Sequence, residues 1–302
     1  MNPAFKSIIM LCFLVQILPA KIAFAGQQEN VDVRLGVDVQ VFPDQALSDL
    51  KIALRMWLDE VSAHEAVTCS TAVYKDIGQL QTDFERHVVN LVVTSPIRFV
   101  KYFNPQHLSS GFKASKSISQ PFDTLLLLTR KNAGIANFSD LQGKHIALLD
   151  NDELAEIYLD TLTLSATGQL HPDFFKGVSH EKTSHRLILK LFFNNTDAVI
   201  VYQQAYQLAV EMNPQLDDQI YVLKSYGQIP WRIGFFHRDV DSDFRQRILE
   251  EAFKIDTLPR GKQLQELFGF DQVSPANITD LYAEQAIYDK YQILKSTKEQ
   301  EQ

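Results

Sequence analysis

Val88-Val89-Asn90-Leu91-Val92-Val93-Thr94-Ser95-Pro96, residues 88–96, decides the fold. Val88 to Val93 is a nearly continuous apolar run. A strand covered on one face alternates apolar and polar residues, whereas a strand covered on both faces is apolar throughout. Thr94-Ser95-Pro96 ends the run. Proline suits the first turn of a helix, because the N–H it lacks is one that a helix start leaves unbonded anyway. The segment therefore predicts a central strand feeding directly into a helix. Upstream, Val31, Val33, Leu35 and Val37 alternate with polar residues and predict a strand. Pro43 and Asp44 open a helix whose Leu47, Leu50, Leu54, Trp57 and Val61 share one face. Val67 to Val73 alternates again, and Asp76 to Arg86 reads as helix. The order β-α-β-α-β-α argues for a parallel sheet with helices on both faces.

Downstream the alternation starts afresh. Phe122 to Arg130, Ile146 to Leu149, Ala198 to Val201 and Ile220 to Leu223 read as strands, with helices at Glu153 to Ser165, up to Phe193, and Gln203 to Asn213. Arg232 to His237 is a further strand, and Ser242 to Lys254, Gly261 to Leu267 and Asn277 to Lys295 are helical. Two α/β runs without a flexible linker predict two Rossmann-like lobes joined by crossing hinge strands, near Thr124 to Arg130 and Tyr226 to Ile233. Lobe I then comprises residues 26–126 and 228–302, lobe II residues 127–227, and the final helices return to lobe I.

Residues 1–25 read as a leader. Lys6 precedes the apolar stretch Ile8 to Leu18, Pro19 follows, and Ala23-Phe24-Ala25 is a small-x-small cleavage signature, so export with cleavage after Ala25 is expected. The chain carries a formal net charge of -8 and has no basic stripe, which argues against nucleic acid as a partner. Removal of Cys12 with the leader leaves Cys69 alone, so no disulfide forms within the mature chain; Cys69 reads as a small residue on a strand. No nucleophile elbow, phosphate loop or zinc-protease helix occurs, and His180 and His185 do not share a clean helix face. An enzyme, a metal site and a cofactor are therefore not expected.

Four segments carry a resemblance. Leu91 to Pro96 with Phe99-Val100, Leu126 to Arg130 followed by Asp140-Leu141-Gln142-Gly143-Lys144-His145-Ile146-Ala147, Ser184-His185 with Asp197-Ala198, and Ile229-Pro230 occur in an order that resembles the phosphonate-type periplasmic binding proteins of ABC transporters, a branch of the type 2 periplasmic binding fold. The resemblance implies a monomeric periplasmic protein that closes by a hinge around a small-molecule ligand. It would hand that ligand to an ABC permease; the alternative is a sensory binding protein that regulates a membrane-bound signalling partner. The resemblance, with the ends of the predicted strands, puts Thr94, Ser95, Phe99, Asn151, His185, Asp197 and Tyr202 at the ligand. It does not carry the ligand over. Where the family has a hydroxyl cluster at a helix start, this chain reads Asp150-Asn151-Asp152-Glu153. These carboxylates either repel a phosphonate or simply cap the helix.

Overall fold

The computed structural model describes residues 32–42, 47–64, 67–116, 121–258 and 260–300. The leader and its cleavage position lie outside these residues.

Along the chain the elements are β1 (Asp32–Asp38), α1 (Leu47–His64), β2 (Thr68–Tyr74), α2 (Ile77–Glu85), β3 (Leu91–Thr94), α3 (Pro96–Tyr102), β4 (Leu108–Ser115) and β5 (Phe122–Arg130). There follow β6 (His145–Leu149), α4 (Glu153–Thr167), α5 (His171–Phe174), β7 (Gly177–Glu181), α6 (Ser184–Phe192), β8 (Ala198–Tyr202), α7 (Gln203–Met212), α8 (Gln215–Gln219) and β9 (Ile220–Pro230). The chain closes with β10 (Arg232–His237), α9 (Ser242–Phe253), α10 (Gly261–Phe268), β11 (Gln272–Ala276) and α11 (Tyr282–Gln300).

Two sheets form, in the orders β11-β4-β10-β3-β1-β2 and β7-β6-β8-β5-β9. In the first, β1 pairs in parallel with both β2 and β3, as the opening alternation implies. β10 and β4 extend it antiparallel. The strand read at Val88 starts later, at Leu91: His87 has φ 58°, and Val88 is exposed in the turn. β3 itself is buried along its whole length. One face of this sheet packs on α1, α9 and α10 through Leu35, Leu50, Phe244 and Leu264; the other packs on α2 and α3 through Phe84, Phe99 and Phe235. In the second sheet Leu125 and Leu127 meet α4, while Leu126 and Leu128 meet α6 and α7. The four consecutive leucines thus serve two cores alternately, as the period of a strand requires. Cys69 lies on β2 and is half-buried; burial pushes its thiol up to about 11.

Two features differ from the sequence expectation. β5 belongs wholly to the second sheet, so the first crossing precedes Thr124, whereas the return crossing at Trp231, between β9 and β10, falls inside the expected Tyr226 to Ile233. α11 does not return to the first lobe alone. Its Ile287, Tyr288 and Tyr291 join the core beneath α4, while it also touches α3. Near its start lies Glu284, wholly buried, with neither carboxyl oxygen bonded to another described residue. Burial pushes this carboxyl up to about 8.

Candidate functional site

The C-terminal ends of β1, β3, β6, β7 and β8 converge on one gap between the sheets, where open parallel sheets place their ligands. The gap is a cleft of about 790 Å³. Helices α4, α6 and α7 all begin at it, and a helix start directs unbonded N–H groups and partial positive charge outward.

Those helix ends are largely satisfied by the chain itself. At α4, Asp152 is the N-cap and accepts from the Ala155 N–H at 3.1 Å. Its carboxyl is raised to about 6; lost hydration is the largest cause, opposed by the bonds to the helix N–H groups and to the Tyr202 hydroxyl at 3.4 Å. At α7, the buried Asp123 accepts from the Gln204 N–H at 3.3 Å and from the Thr124 N–H at 2.8 Å. At α6, the Thr183 hydroxyl accepts from the Arg186 N–H at 3.3 Å.

The two lobes meet in an ion-pair network. Asp38, ending β1, is 1% exposed and accepts from the Thr94 hydroxyl at 2.6 Å and from Arg98 at 2.7 Å. Arg98, on α3, reaches across to Glu153 of α4 at 2.6 Å, and Lys101 joins the same carboxylate. Half-burial alone would raise the Glu153 carboxyl, but the two cations outweigh it and hold it below its ordinary range. Glu153 is thus an anion built into the cleft between two cations of the opposite lobe.

At the hinge, the Arg232 guanidinium lies 3.6 Å from the Trp231 ring centroid and 4.1 Å from that of Phe42. It donates to the carbonyls of Val41 and Phe268 at 2.8 and 2.5 Å. Burial lowers its pKa to about 9, which still leaves it charged at neutral pH. Lys116 Nζ lies 4.6 Å from the centroid of the same Trp231 ring.

Of the residues expected at the ligand, Ser95, Asn151 and Tyr202 line the cleft. Asn151 does so from a left-handed turn with φ 58°, a conformation asparagine tolerates better than most residues. Thr94 stands behind the surface, holding Asp38. Phe99 is packed against Phe103 and Phe235 in the core. His185 is exposed on α6, and only its neighbour Ser184 reaches the cleft. Asp197 precedes β8 at the far end of the second sheet, where it accepts from the His145 N–H at 2.9 Å. Sequence reasoning passed over Arg98, Lys116, Lys182, Arg232 and Asp123. Arg98 carried a usable signal, being one turn beyond the strand end that nominated Ser95.

Over residues 39–282 the chain matches the family described as ABC transporter, phosphonate, periplasmic substrate-binding protein. The chain belongs to this family. Its resemblance to phosphonate-type binding proteins therefore stands, and the family places it among periplasmic components that capture small molecules for ABC transporters, which favours the transport reading over the sensory one. Solved structures share the two-lobed fold. A Xanthomonas citri protein bound to ATP superposes with a TM-score of 0.62 at 12% identity, over 87% of this chain and 98% of that one. PhnD1 from Prochlorococcus marinus in complex with methylphosphonate gives 0.58 at 14% identity, over 85% and 97%. A binding protein component of an ABC phosphonate transporter from Pseudomonas aeruginosa gives 0.58 at 11% identity, over 89% of each chain. No curated protein sequence matches the chain. Among the described residues, no helix is long and apolar enough to cross a membrane.

Proposed function

We propose that this member of the phosphonate-binding family captures a small solute with a neutral or cationic polar end, and passes it unchanged to an ABC permease. The observation that carries the reading is the Glu153 carboxylate, which already occupies Arg98 and Lys101. A phosphonate entering there would have to displace Glu153 or lie against it, and like charges a few ångströms apart in a poorly hydrated cleft repel by kilocalories. Asp152 fills the adjacent helix end. Six carboxylate residues line the cleft against four basic ones, so an added anion meets no net positive field. Ser95, Asn151 and Tyr202 are the groups we assign to the polar end, with Trp231 as an apolar wall. Binding without chemistry is supported by the same bonds: Asp123, Asp152 and Glu153 are each engaged with helix N–H groups or cations rather than poised beside a nucleophile.

A thermal-shift screen across solute classes tests this. Neutral polar and amine-bearing solutes are expected to supply the stabilising hits, a ligand at about a hundred times its Kd contributing about 2.7 kcal/mol. Hits confined to phosphate, phosphite and alkylphosphonates would overturn it. A second expectation concerns Glu153→Gln, which removes the internal anion and leaves Arg98 and Lys101 for an incoming one. Methylphosphonate affinity should rise by about tenfold or more, equivalent to about 1.4 kcal/mol. An unchanged or weaker affinity in the variant would show that the cation pair does not face the solute.

A further inference from the structure

We propose that His87, His237 and Asp239 together hold a divalent transition-metal cation at the end of the first sheet remote from the cleft. One strand end and two turns bring them together. His237 ends β10, which runs antiparallel to β3 with Phe236 opposite Leu91, so His237 stands beside the beginning of β3. The cleft lies at the other end of that strand. His87 follows α2 in a left-handed conformation that turns the chain back toward the sheet. Asp239 lies in the turn between β10 and α9.

The separations fit a shared cation better than direct bonding. His87 Nε2 is 3.7 Å, and His237 Nδ1 3.6 Å, from the same Asp239 carboxylate oxygen. Both are too long for hydrogen bonds. Donors around one tetrahedral zinc ion, each about 2.0–2.1 Å from the metal, stand about 3.3 Å apart. All three donor atoms here lie within 4.8 Å of one another. Small side-chain movements close the remainder. His237 is the fixed ligand, its side chain 3% exposed and packed 4.8 Å from the Phe84 ring. The side chains of His87 and Asp239 are 49% and 65% exposed and can adjust. His237 Nδ1 accepts a long bond from the Asp239 N–H at 3.3 Å, and a metal bond would replace it.

Two imidazoles and one carboxylate suit zinc, nickel or copper rather than magnesium or calcium, which favour all-oxygen sets. A third imidazole adjoins the group: the His107 ring is 5.5 Å from that of His237, and its Nδ1 lies 2.7 Å from Glu85 Oε2. Among the described residues, another histidine–carboxylate group exists on the second lobe, where Glu156 contacts His171 and His180 at 3.1 and 2.7 Å. There the carboxylate bonds each ring directly, leaving no gap for an ion between them.

The test is calorimetric titration of zinc chloride into the chelator-stripped mature protein. One zinc per chain with a Kd of about 10 µM or tighter is expected. His87→Ala and Asp239→Ala should each weaken it by about tenfold or more. His180→Ala should leave it unchanged. His237 is left in place because it packs in the core; the two exposed positions can be changed without disturbing the fold, and circular dichroism checks this. Weaker binding in the unaltered protein, binding indifferent to His87→Ala and Asp239→Ala, or binding lost in His180→Ala would each overturn the assignment.

Discussion

Replacing Arg98 by alanine is expected to lower the free energy of unfolding by about 3 kcal/mol at neutral pH, because removal of one partner leaves a buried charge uncompensated. That charge is Asp38. Its side chain is 1% exposed, and Arg98 is the only cation within ion-pair distance of it among the described residues. The Thr94 hydroxyl and the Gln40 N–H, at 2.6 and 3.0 Å, remain but carry no charge. The loss should be partly reversed by Asp38→Asn in the same chain, since the neutral amide needs no counter-ion. Urea denaturation of the single and double variants reads both effects. If Arg98→Ala unfolds within about 0.5 kcal/mol of the unaltered protein, as an ordinary surface change does, the network is not structural.

Glu284→Gln is expected to act in the opposite direction, and only at higher pH. The carboxyl is raised from its ordinary value to about 8 in the folded protein. Between the unfolded value of about 4.3 and the folded one, the native state holds a proton that the unfolded chain releases, so stability falls as pH rises through this window. Above about 8 no further loss occurs, because both states are then ionised. Glutamine has nearly the shape of the protonated acid and does not titrate. At pH 5 the two proteins should unfold within about 1 kcal/mol of each other, whereas at pH 8.5 the variant should be more stable by about 5 kcal/mol. Parallel urea curves at the two pH values check this. An equal difference at both would mean that Glu284 is ionised in the folded state throughout.

The cores were legible because burial on both faces leaves a continuous apolar trace. Leu125-Leu126-Leu127-Leu128 and Leu91-Val92-Val93 announce central strands whatever surrounds them. β4 was not legible: its sequence Leu-Ser-Ser-Gly-Phe-Lys-Ala-Ser has no apolar period, and it is recruited by pairing with β10 and β11. At that junction an added side chain on Gly111 would meet the Gly234 carbonyl, so the strand is specified by close backbone approach rather than by hydrophobicity. The cleft was half legible. Strand ends nominate Ser95 and Tyr202 from position alone, but which neighbouring side chain turns inward depends on the helix that follows. Thus Phe99, nearly one turn into α3, faces the core, while Arg98 faces the cleft. The pairing of Arg98 with Glu153, 55 residues apart, and the meeting of His87 with Asp239, 152 apart, are products of topology that no local pattern encodes.

The α4 start in this cleft is filled from within, by Glu153 between Arg98 and Lys101 and by Asp152 on the helix N–H groups. Calorimetric titration of methylphosphonate into the unaltered protein at neutral pH measures this. No binding tighter than about 100 µM, worth about 5.5 kcal/mol, is expected. A Kd of about 1 µM or below, with Glu153 in place, would contradict it.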